Sequence, residues 1–324
     1  GLPPHLAWRA EGLKGRILER LGRHGEAALA YERGAELALG LERYWLLLDA
    51  AAMWLEAGEG ERALLALKEA EAAVGEEDPE DAATRHYLLA RAHLLLGNPG
   101  LALEEIRKAL ALEEESGHKA YGTPLVEGQA LLQLGRYEEA MASFREALAR
   151  ADAGERPHVL HEMGVAALDH GAYPEAEEHL RALVREEGYP YLAQAYADLA
   201  EALYRQGRYQ EAEAAAREAV ARGAVAAGEL VLGHVAYDLL HLEEALEHYR
   251  KAAESAEEGS REWVGAQEMV VDTLAQLGYR FPEEMVRRGQ AVLPYLHPAD
   301  EWHAALTAYV ERAQALLREG KRLN

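Results

Sequence analysis

The chain has 324 residues, of which 57 are acidic and 34 are basic, so its formal net charge is −23. A field of that sign repels phosphate backbones and anionic membrane surfaces, and we therefore expect this segment to bind neither nucleic acid nor membranes. The sequence contains no cysteine, which excludes disulfides, thiolate nucleophiles and cysteine-based metal sites and fits a reducing cytoplasm.

A pattern of glycine, alanine and a large residue recurs along the chain from the N-terminus onward. In the first copy Gly22 is followed by Ala27, and Tyr31 and Gly34 come four and seven residues after that alanine. In the seventh copy Leu240 stands where the earlier copies have the glycine. The anchor alanines, spaced 36, 39, 38, 36, 36 and 33 residues apart, are Ala27, Ala63, Ala102, Ala140, Ala176, Ala212 and Ala245.

Each position of the repeat has a physical reason. The glycine ends one helix because it adopts the left-handed C-cap conformation without a clash at Cβ. The alanine lets paired helices approach closely, and we expect the large residue on the same face to fill the space between hairpins. Since one hairpin cannot bury its apolar face alone, the pattern predicts stacked helix pairs. The first helix of each pair has a small residue seven positions before the turn: Gly15, Ala51, Ala90, Gly128, Gly164, Ala200 and Gly233.

These positions resemble the tetratricopeptide repeat family. The match includes the Gly-x-Tyr-x-x-Ala turns that begin at Gly135, Gly171 and Gly207, and it covers about residues 8 to 255. The resemblance implies an all-α fold, a right-handed superhelical α-solenoid of stacked antiparallel helix pairs whose concave groove binds proteins or peptides. Most spacings exceed the family's usual ~34 residues. Longer units of this kind are similar to the repeat arrays of bacterial signalling regulators.

The sequence divides into residues 1–255, with seven helix pairs, and residues 256–324, with a degenerate repeat and C-terminal capping helices. The extra length of the regular part lies in polar links at residues 75–81, 113–117 and 154–157, which we expect to be solvated loops. In residues 256–324 the sequence predicts one helix over 263–277, a second that begins at Glu283 and a third over about 299–319. Trp302 lies in the stripe of the third helix that we expect to be buried. Terminal repeats are atypical because they cap the last exposed face.

The residues that could support chemistry match no catalytic or metal-binding motif. His158 and His161 are three residues apart, which differs from the His-Glu-x-x-His spacing of zinc peptidases. None of the four serines lies in a Gly-x-Ser-x-Gly elbow. We therefore expect a chain that is not an enzyme and holds no cofactor or metal.

Candidate binding residues follow from the phase of the first helices. The resemblance implies that these helices line the concave groove, and the turn residue marks the exposed positions as those about six, nine, ten and thirteen residues before it. Tyr204 and Tyr237 lie one turn further on. Aromatic anchors mixed with charges are typical of peptide recognition, although some of the aromatic residues could instead pack between repeats. The candidates are Arg16, Trp45, Asp49, Tyr87, Arg91, Gln129, His158, His161, Gln194, Asp198, Glu201, Tyr204, His234 and Tyr237.

Three functional hypotheses remain open. The leading one is a scaffold that binds a protein or peptide partner, with a basic or neutral partner electrostatically easier. The alternative is the ligand- or peptide-sensing portion of a larger transcriptional or signalling regulator. The chain opens Gly1-Leu2-Pro3-Pro4 without a Met, from which we expect a leader or an N-terminal effector domain upstream. A third is an accessory or self-assembling subunit, and the oligomeric state stays open.

Overall fold

The computed structural model describes the backbone of residues 1–323 and the side chains of residues 1–320. Across these residues the regular structure is helical, with no strand, which confirms the all-α prediction. The helices are α1 (Pro4–Arg20), α2 (His24–Leu37), α3 (Gly40–Glu56), α4 (Gly60–Ala73), α5 (Pro79–Leu95), α6 (Pro99–Ser116), α7 (Gly122–Gln133), α8 (Tyr137–Arg150), α9 (Arg156–His170), α10 (Tyr173–Leu183), α11 (Leu192–Arg205), α12 (Tyr209–Ala221), α13 (Val225–Asp238), α14 (Leu242–Ser255), α15 (Arg261–Gln276), α16 (Pro282–Val292) and α17 (Glu301–Leu323).

The chain forms two compact units, residues 1–159 (unit 1) and residues 160–324 (unit 2). Inside each unit the odd-numbered, first helices contact one another across neighbouring pairs. In unit 1 these contacts join α3 to α5 and α5 to α7, and in unit 2 they join α11 to α13 and α13 to α15. The first helices therefore form a layer in each unit. That the regular pairs end at residue 255 stays a prediction.

The turn inside each pair is built on a residue in the left-handed conformation. At the end of α7, Gly135 has a φ of 75°. The N–H groups of Gly135 and Arg136 donate to the carbonyls of Leu132 and Leu131, which is the Schellman motif. This turn ends the first helix at a defined residue and so sets where the second helix begins.

The last regular turn makes the same motif without a glycine. The N–H groups of Leu240 and His241 donate to the carbonyls of Tyr237 and Ala236, and Leu240 has a φ of 63°. Its side chain is 79% exposed. Because a Cβ atom is disfavoured at this φ and the exposed side chain buries little apolar area, Leu240 is a strained residue.

Small residues on the first helix make room for the large residue on the second. A Cβ atom added at Gly128 would lie 2.5 Å from the Phe144 ring. The large residue thus fills the space inside its own pair, and not only the space between pairs that the repeat suggested. The same relation joins Gly15 to Tyr31, Gly164 to Leu180 and Gly233 to Tyr249.

The link at residues 75–81 carries a buried ion pair. Glu77 accepts hydrogen bonds of 2.7 and 2.8 Å from Arg85 and one from the Tyr44 hydroxyl. Burial opposes ionisation, but these donors lower the pKa of Glu77 below its usual range. The prediction that this link is wholly solvated is therefore wrong at Glu77, because α3 and α5 each send a donor to it.

The link predicted at residues 113–117 lies later in the chain than expected, at residues 117–121. Helix α6 continues to Ser116, and the Glu113 carboxylate is buried. It accepts a hydrogen bond of 2.7 Å from Arg150 and another from the Thr123 hydroxyl. Partners from later in the chain thus keep this acidic residue within the helix instead of in a solvated loop.

The C-terminal helices share one buried cluster. Trp263, Met285 and Leu306 come from α15, α16 and α17 and belong to one buried cluster, and the partly buried Trp302 packs against it. No helix among residues 1–323 has both the length and the apolar composition that crossing a membrane requires.

Replacing Gly128 by alanine tests the contact inside the pair. The new Cβ would overlap Phe144, so we expect Gly128→Ala to lower the free energy of unfolding by about 1–3 kcal/mol. Chemical denaturation measures the change. The control is Gly265→Ala in α15, where a Cβ meets no atom within 4 Å. Better helix propensity should make that control neutral or more stable. Equal effects of the two substitutions would contradict the packing account.

Replacing Leu240 by glycine should stabilise the protein. Relief of the left-handed strain outweighs the added conformational entropy of the unfolded chain, so we expect the free energy of unfolding to rise by about 0.5–1 kcal/mol. Thermal denaturation should show a higher midpoint. Leu239 has a φ of −85° at the same helix end. Leu239→Gly should therefore lower the midpoint, and a rise in both variants would argue against strain at Leu240.

Candidate functional site

A cavity of about 480 Å³ opens in unit 2 between α11, α13, α15 and the segment before α17. The cavity is lined by the residues six, nine, ten and thirteen positions before Gly207, and by the residues at the same four positions before Leu240. The lining from α11 and α13 therefore follows the phase that the turn residues set, apart from Tyr204 and Arg205. Among the sequence-predicted candidates, the cavity brings together Gln194, Asp198, Glu201, Tyr204 and His234.

The cavity is acidic. Its lining has five carboxylates and two guanidinium groups, so its formal charge is negative. Both guanidinium groups, of Arg205 and Arg261, belong to exposed residues, whereas Glu201 and Glu268 are half-buried. The positive groups thus lie nearer the solvent than the two acidic residues. The carboxylates are those of Asp198, Glu201, Glu262, Glu268 and Asp300.

Glu268 is the least compensated of these groups. Among the described residues, none forms a hydrogen bond or ion pair with its carboxylate. Burial raises the pKa of Glu268 to about 7, and the nearby Asp300 carboxylate adds to the rise. Part of the Glu268 population is therefore protonated at neutral pH.

The other acidic residues differ in how well they are paired. Asp198 lies 2.8 Å from the Nε2 of His161 and accepts a hydrogen bond of 3.0 Å from Gln194. Glu201 has only a loose ion pair, with 3.8 Å between its carboxylate and the Arg205 guanidinium. Burial raises the pKa of Glu201 above its usual range, although Arg205 and Arg261 oppose the rise.

Aromatic rings form one side of the cavity. The Tyr204 ring stacks on His234 at 5.4 Å between centroids, and His234 shares a hydrogen bond of 2.7 Å with the fully buried Tyr249. Burial lowers the pKa of His234 to about 4, so the imidazole is neutral at neutral pH. His234 therefore supports Tyr204 and adds no positive charge to the cavity.

The middle of the cavity is apolar. Ala227, Leu230 and Val231 of α13 line it, and Val264 of α15 lies beside them. Helix α13 contacts both α11 and α15, which carry the acidic residues. The result is an apolar strip with carboxylates on either side, an arrangement that can bind a ligand by charge and by apolar contact. No three His, Asp or Glu side chains are grouped for a metal ion within the described part of the chain.

Two candidates of unit 1 make contacts between neighbouring first helices. Trp45 is 47% exposed, and its indole N–H donates to Asp81 at 3.2 Å. Arg91 donates to Glu56 at 3.0 Å and lies 5.7 Å from the centre of the Tyr87 ring. Each contact joins α3 to α5 or one turn of α5 to the next. These side chains thus position the first helices while Trp45 stays accessible.

Arg16 and Asp49 are both exposed, on α1 and α3. Burial among neighbouring protein atoms raises the pKa of Asp49 to about 6, Glu19 adds to the rise, and Arg16 opposes it. Asp49 is exposed, so solvent screens the effect of this shift on stability.

The remaining candidates lie elsewhere. Gln129 is half-buried on α7 and His158 is exposed on α9. His161 contacts the Tyr189 hydroxyl at 2.6 Å as well as Asp198. The Tyr237 hydroxyl donates a hydrogen bond to the Asp272 carboxylate. Asp272 also accepts a hydrogen bond of 2.9 Å from the Tyr309 hydroxyl. Tyr237 therefore ties α13 to α15 and α17 instead of lining the cavity.

The sequence-predicted candidates omit five charged residues of the cavity, which are Arg205, Arg261, Glu262, Glu268 and Asp300. Glu268 had a usable signal, because it lies ten residues before Gly278, whose φ is 80°. The spacing of exposed positions before a turn residue does not extend to Gly278 in the sequence, because the repeat becomes irregular after residue 260. Arg261 opens α15 and Asp300 precedes α17, so no turn residue marks either of them.

Comparisons with known proteins agree on the fold. A family model described as Tetratricopeptide repeat matches residues 161–227, and a second with the same description matches residues 83–116 and 126–153. No curated protein matches.

Solved structures are similar at low identity. The C-terminal part of a TPR repeat-containing protein from Cytophaga hutchinsonii has a TM-score of 0.56 at 15% identity, covering 80% of this chain and 98% of its own. PilF of Pseudomonas aeruginosa has a TM-score of 0.55 at 16% identity, covering 72% of this chain and 99% of its own. The APC/C heterotetramer Cut9–Hcn1 contains a chain with a TM-score of 0.57 at 14% identity, covering 93% of this chain and 54% of its own.

The raised pKa of Glu268 predicts a pH-dependent effect on stability. Its folded-state pKa of about 7 exceeds the ordinary value of 4.5 that a glutamate has in an unfolded chain, so the carboxylate costs stability as the pH rises through this interval. We expect Glu268→Gln to raise the melting temperature by about 2 °C near pH 8 and to have no effect near pH 4.

Thermal denaturation of wild type and variant at both pH values measures this difference. The control is Glu254→Gln, because Glu254 is exposed on α14. It should change the melting temperature little at either pH. A Glu268→Gln variant less stable than wild type near pH 8 would contradict the account.

Proposed function

Since the chain is a tetratricopeptide repeat protein, we propose that it is a protein-interaction scaffold that binds a peptide or protein partner on the layer of first helices. The observation that most supports the proposal is the cavity in unit 2. It gathers five of the predicted candidates from α11 and α13 and combines an aromatic side, an apolar strip and charged groups. Such a mixture is what specific protein recognition uses.

Unit 1 adds a second accessible surface. Trp45 is large and exposed, and its hydrogen bond to Asp81 holds the indole in one orientation. A rigid aromatic side chain loses little conformational entropy when a partner covers it. We propose that the partner is a polypeptide, with a basic one favoured by the net charge of −23. One of the similar structures, Cut9–Hcn1, is itself a heteromeric assembly.

The proposed role is binding without catalysis, in the cytoplasm. Its support is the family, together with the lack of cysteine for the location. A second candidate is the sensing portion of a larger transcriptional or signalling regulator. It is favoured by repeat spacings of 36 to 39 residues in most copies. Reading the complete open reading frame tests it: a helix-turn-helix or P-loop domain in the same chain supports it, and a frame without such a domain opposes it.

Affinity capture from a source lysate tests the scaffold proposal. We expect Trp45→Ala and Glu201→Arg each to reduce recovery of the specific partner at least tenfold, because one removes an exposed anchor and the other reverses a charge in the cavity. Quantitative mass spectrometry measures the recovery. Leu101→Ala is the matched control, since Leu101 is 48% exposed on a second helix, α6.

Circular dichroism should show the same helical content for all three variants. If neither Trp45→Ala nor Glu201→Arg changes the set of captured proteins, the layer of first helices is not the binding surface.

A further inference from the structure

We propose that the cavity of unit 2 binds a lysine or arginine side chain of the partner polypeptide, with the charged end between Glu268 and Glu201 and the aliphatic stem on the apolar strip of α13. This inference rests on the proposed scaffold function and names the chemical group that the cavity selects.

The lining matches the two parts of such a side chain. Leu230 and Val231 present apolar surface in the middle, and the carboxylates of Glu201 and Glu268 come from the helices on either side. Lysine and arginine bury their methylene stems on apolar surface while the charged head reaches a polar group. A purely apolar side chain would leave Glu268 without a counter-charge and Glu201 with only its loose ion pair to Arg205.

The charges inside the cavity are incomplete without a cation. Among the described residues, Glu268 has no hydrogen-bond or ion-pair partner, and the carboxylate of Glu201 is 3.8 Å from the nearest guanidinium. Arg205 and Arg261 are exposed and therefore lie nearer the solvent. There they can contact backbone carbonyls or acidic side chains of the partner, while the interior keeps its negative potential.

A bound cation also changes the ionisation of the site. It favours the charged form of Glu268, whose pKa is about 7 in the free protein, so binding releases a proton near neutral pH. Affinity for a cationic side chain should therefore rise between about pH 6 and pH 8. The other titratable and charged groups facing this space are Asp198, Glu201, Tyr204 and Arg205 from α11, His234 from α13, Arg261 and Glu262 from α15, and Asp300 before α17.

Isothermal titration calorimetry on the full chain tests the proposal. The probes are N-acetylated, C-amidated peptides of alanine with one central lysine, arginine, methionine or glutamate, and the small amine 1,5-diaminopentane. We expect the lysine and arginine peptides to bind about tenfold tighter than the methionine peptide, because charge-assisted contacts are worth more than apolar area alone here. Titrations in two buffers of different ionisation enthalpy count the released protons.

The variants separate a site from a general charge effect. Glu268→Gln should weaken binding of the lysine peptide about tenfold and abolish most of the proton release. Glu254→Gln removes the same charge from an exposed position on α14 and should leave both unchanged. The melting temperature of each variant shows that it is folded.

Several results would overturn the proposal. These are equal affinity for the lysine and methionine peptides, no binding of the lysine peptide up to millimolar concentration, unchanged affinity in Glu268→Gln, or tighter binding of 1,5-diaminopentane than of the lysine peptide. If one of these results occurs while Glu201→Arg still loses the captured partner, the scaffold function stands and only the cationic-side-chain inference fails. If all variants capture the same proteins, the scaffold function fails as well.

Discussion

Close approach of the two helices in a pair is the constraint on which the rest of the structure depends. Where Gly128 faces Phe144, or Gly233 faces Tyr249, no Cβ atom separates the first helix from the large side chain of the second, and both rings are fully buried. A left-handed turn residue follows each of these glycines seven positions later. The contact and the turn together fix how the first helix is rotated about its own axis, so its outward-facing positions follow from the pairing.

That rotation determines the character of the unit 2 cavity. It places the uncharged residues of α13 in the middle and leaves Glu201 of α11 and Glu268 of α15 on the two sides. Glu268 is costly to the folded state because burial disfavours its charged form and no described residue compensates it. Side chains that lower stability but face an accessible cavity are typical of binding sites, where a ligand supplies the missing contact. The supporting pair of Tyr204 and His234 is neutral and well packed, so the charge of the site comes from the carboxylates.

The sequence predicts the repeat, the helices and the lining from α11 and α13, because each depends on local spacing around a turn residue such as Gly207. It predicts less where the partner is distant in the chain. The hydrogen bond of Tyr237 to Asp272 spans 35 residues, and no local pattern distinguishes Tyr237 from an accessible aromatic residue. The sequence predicts Glu77 as an acidic residue in a solvated loop. Its hydrogen-bond donors, Tyr44 and Arg85, belong to other helices, so no local pattern indicates that it is paired. Glu268 could have been found from Gly278, whereas Asp300 precedes the last helix without any such marker.

Hydroxyl-radical footprinting of the full chain, alone and with its captured partner, tests the central claim most directly: that partners bind on the layer of first helices. The account predicts that the partner protects Trp45, Tyr204 and Leu230, which lie on α3, α11 and α13. It predicts unchanged oxidation of Leu65 and Leu101, which are 62% and 48% exposed on the second helices α4 and α6. Protection of Leu65 and Leu101 with unchanged oxidation of the first-helix residues would contradict it.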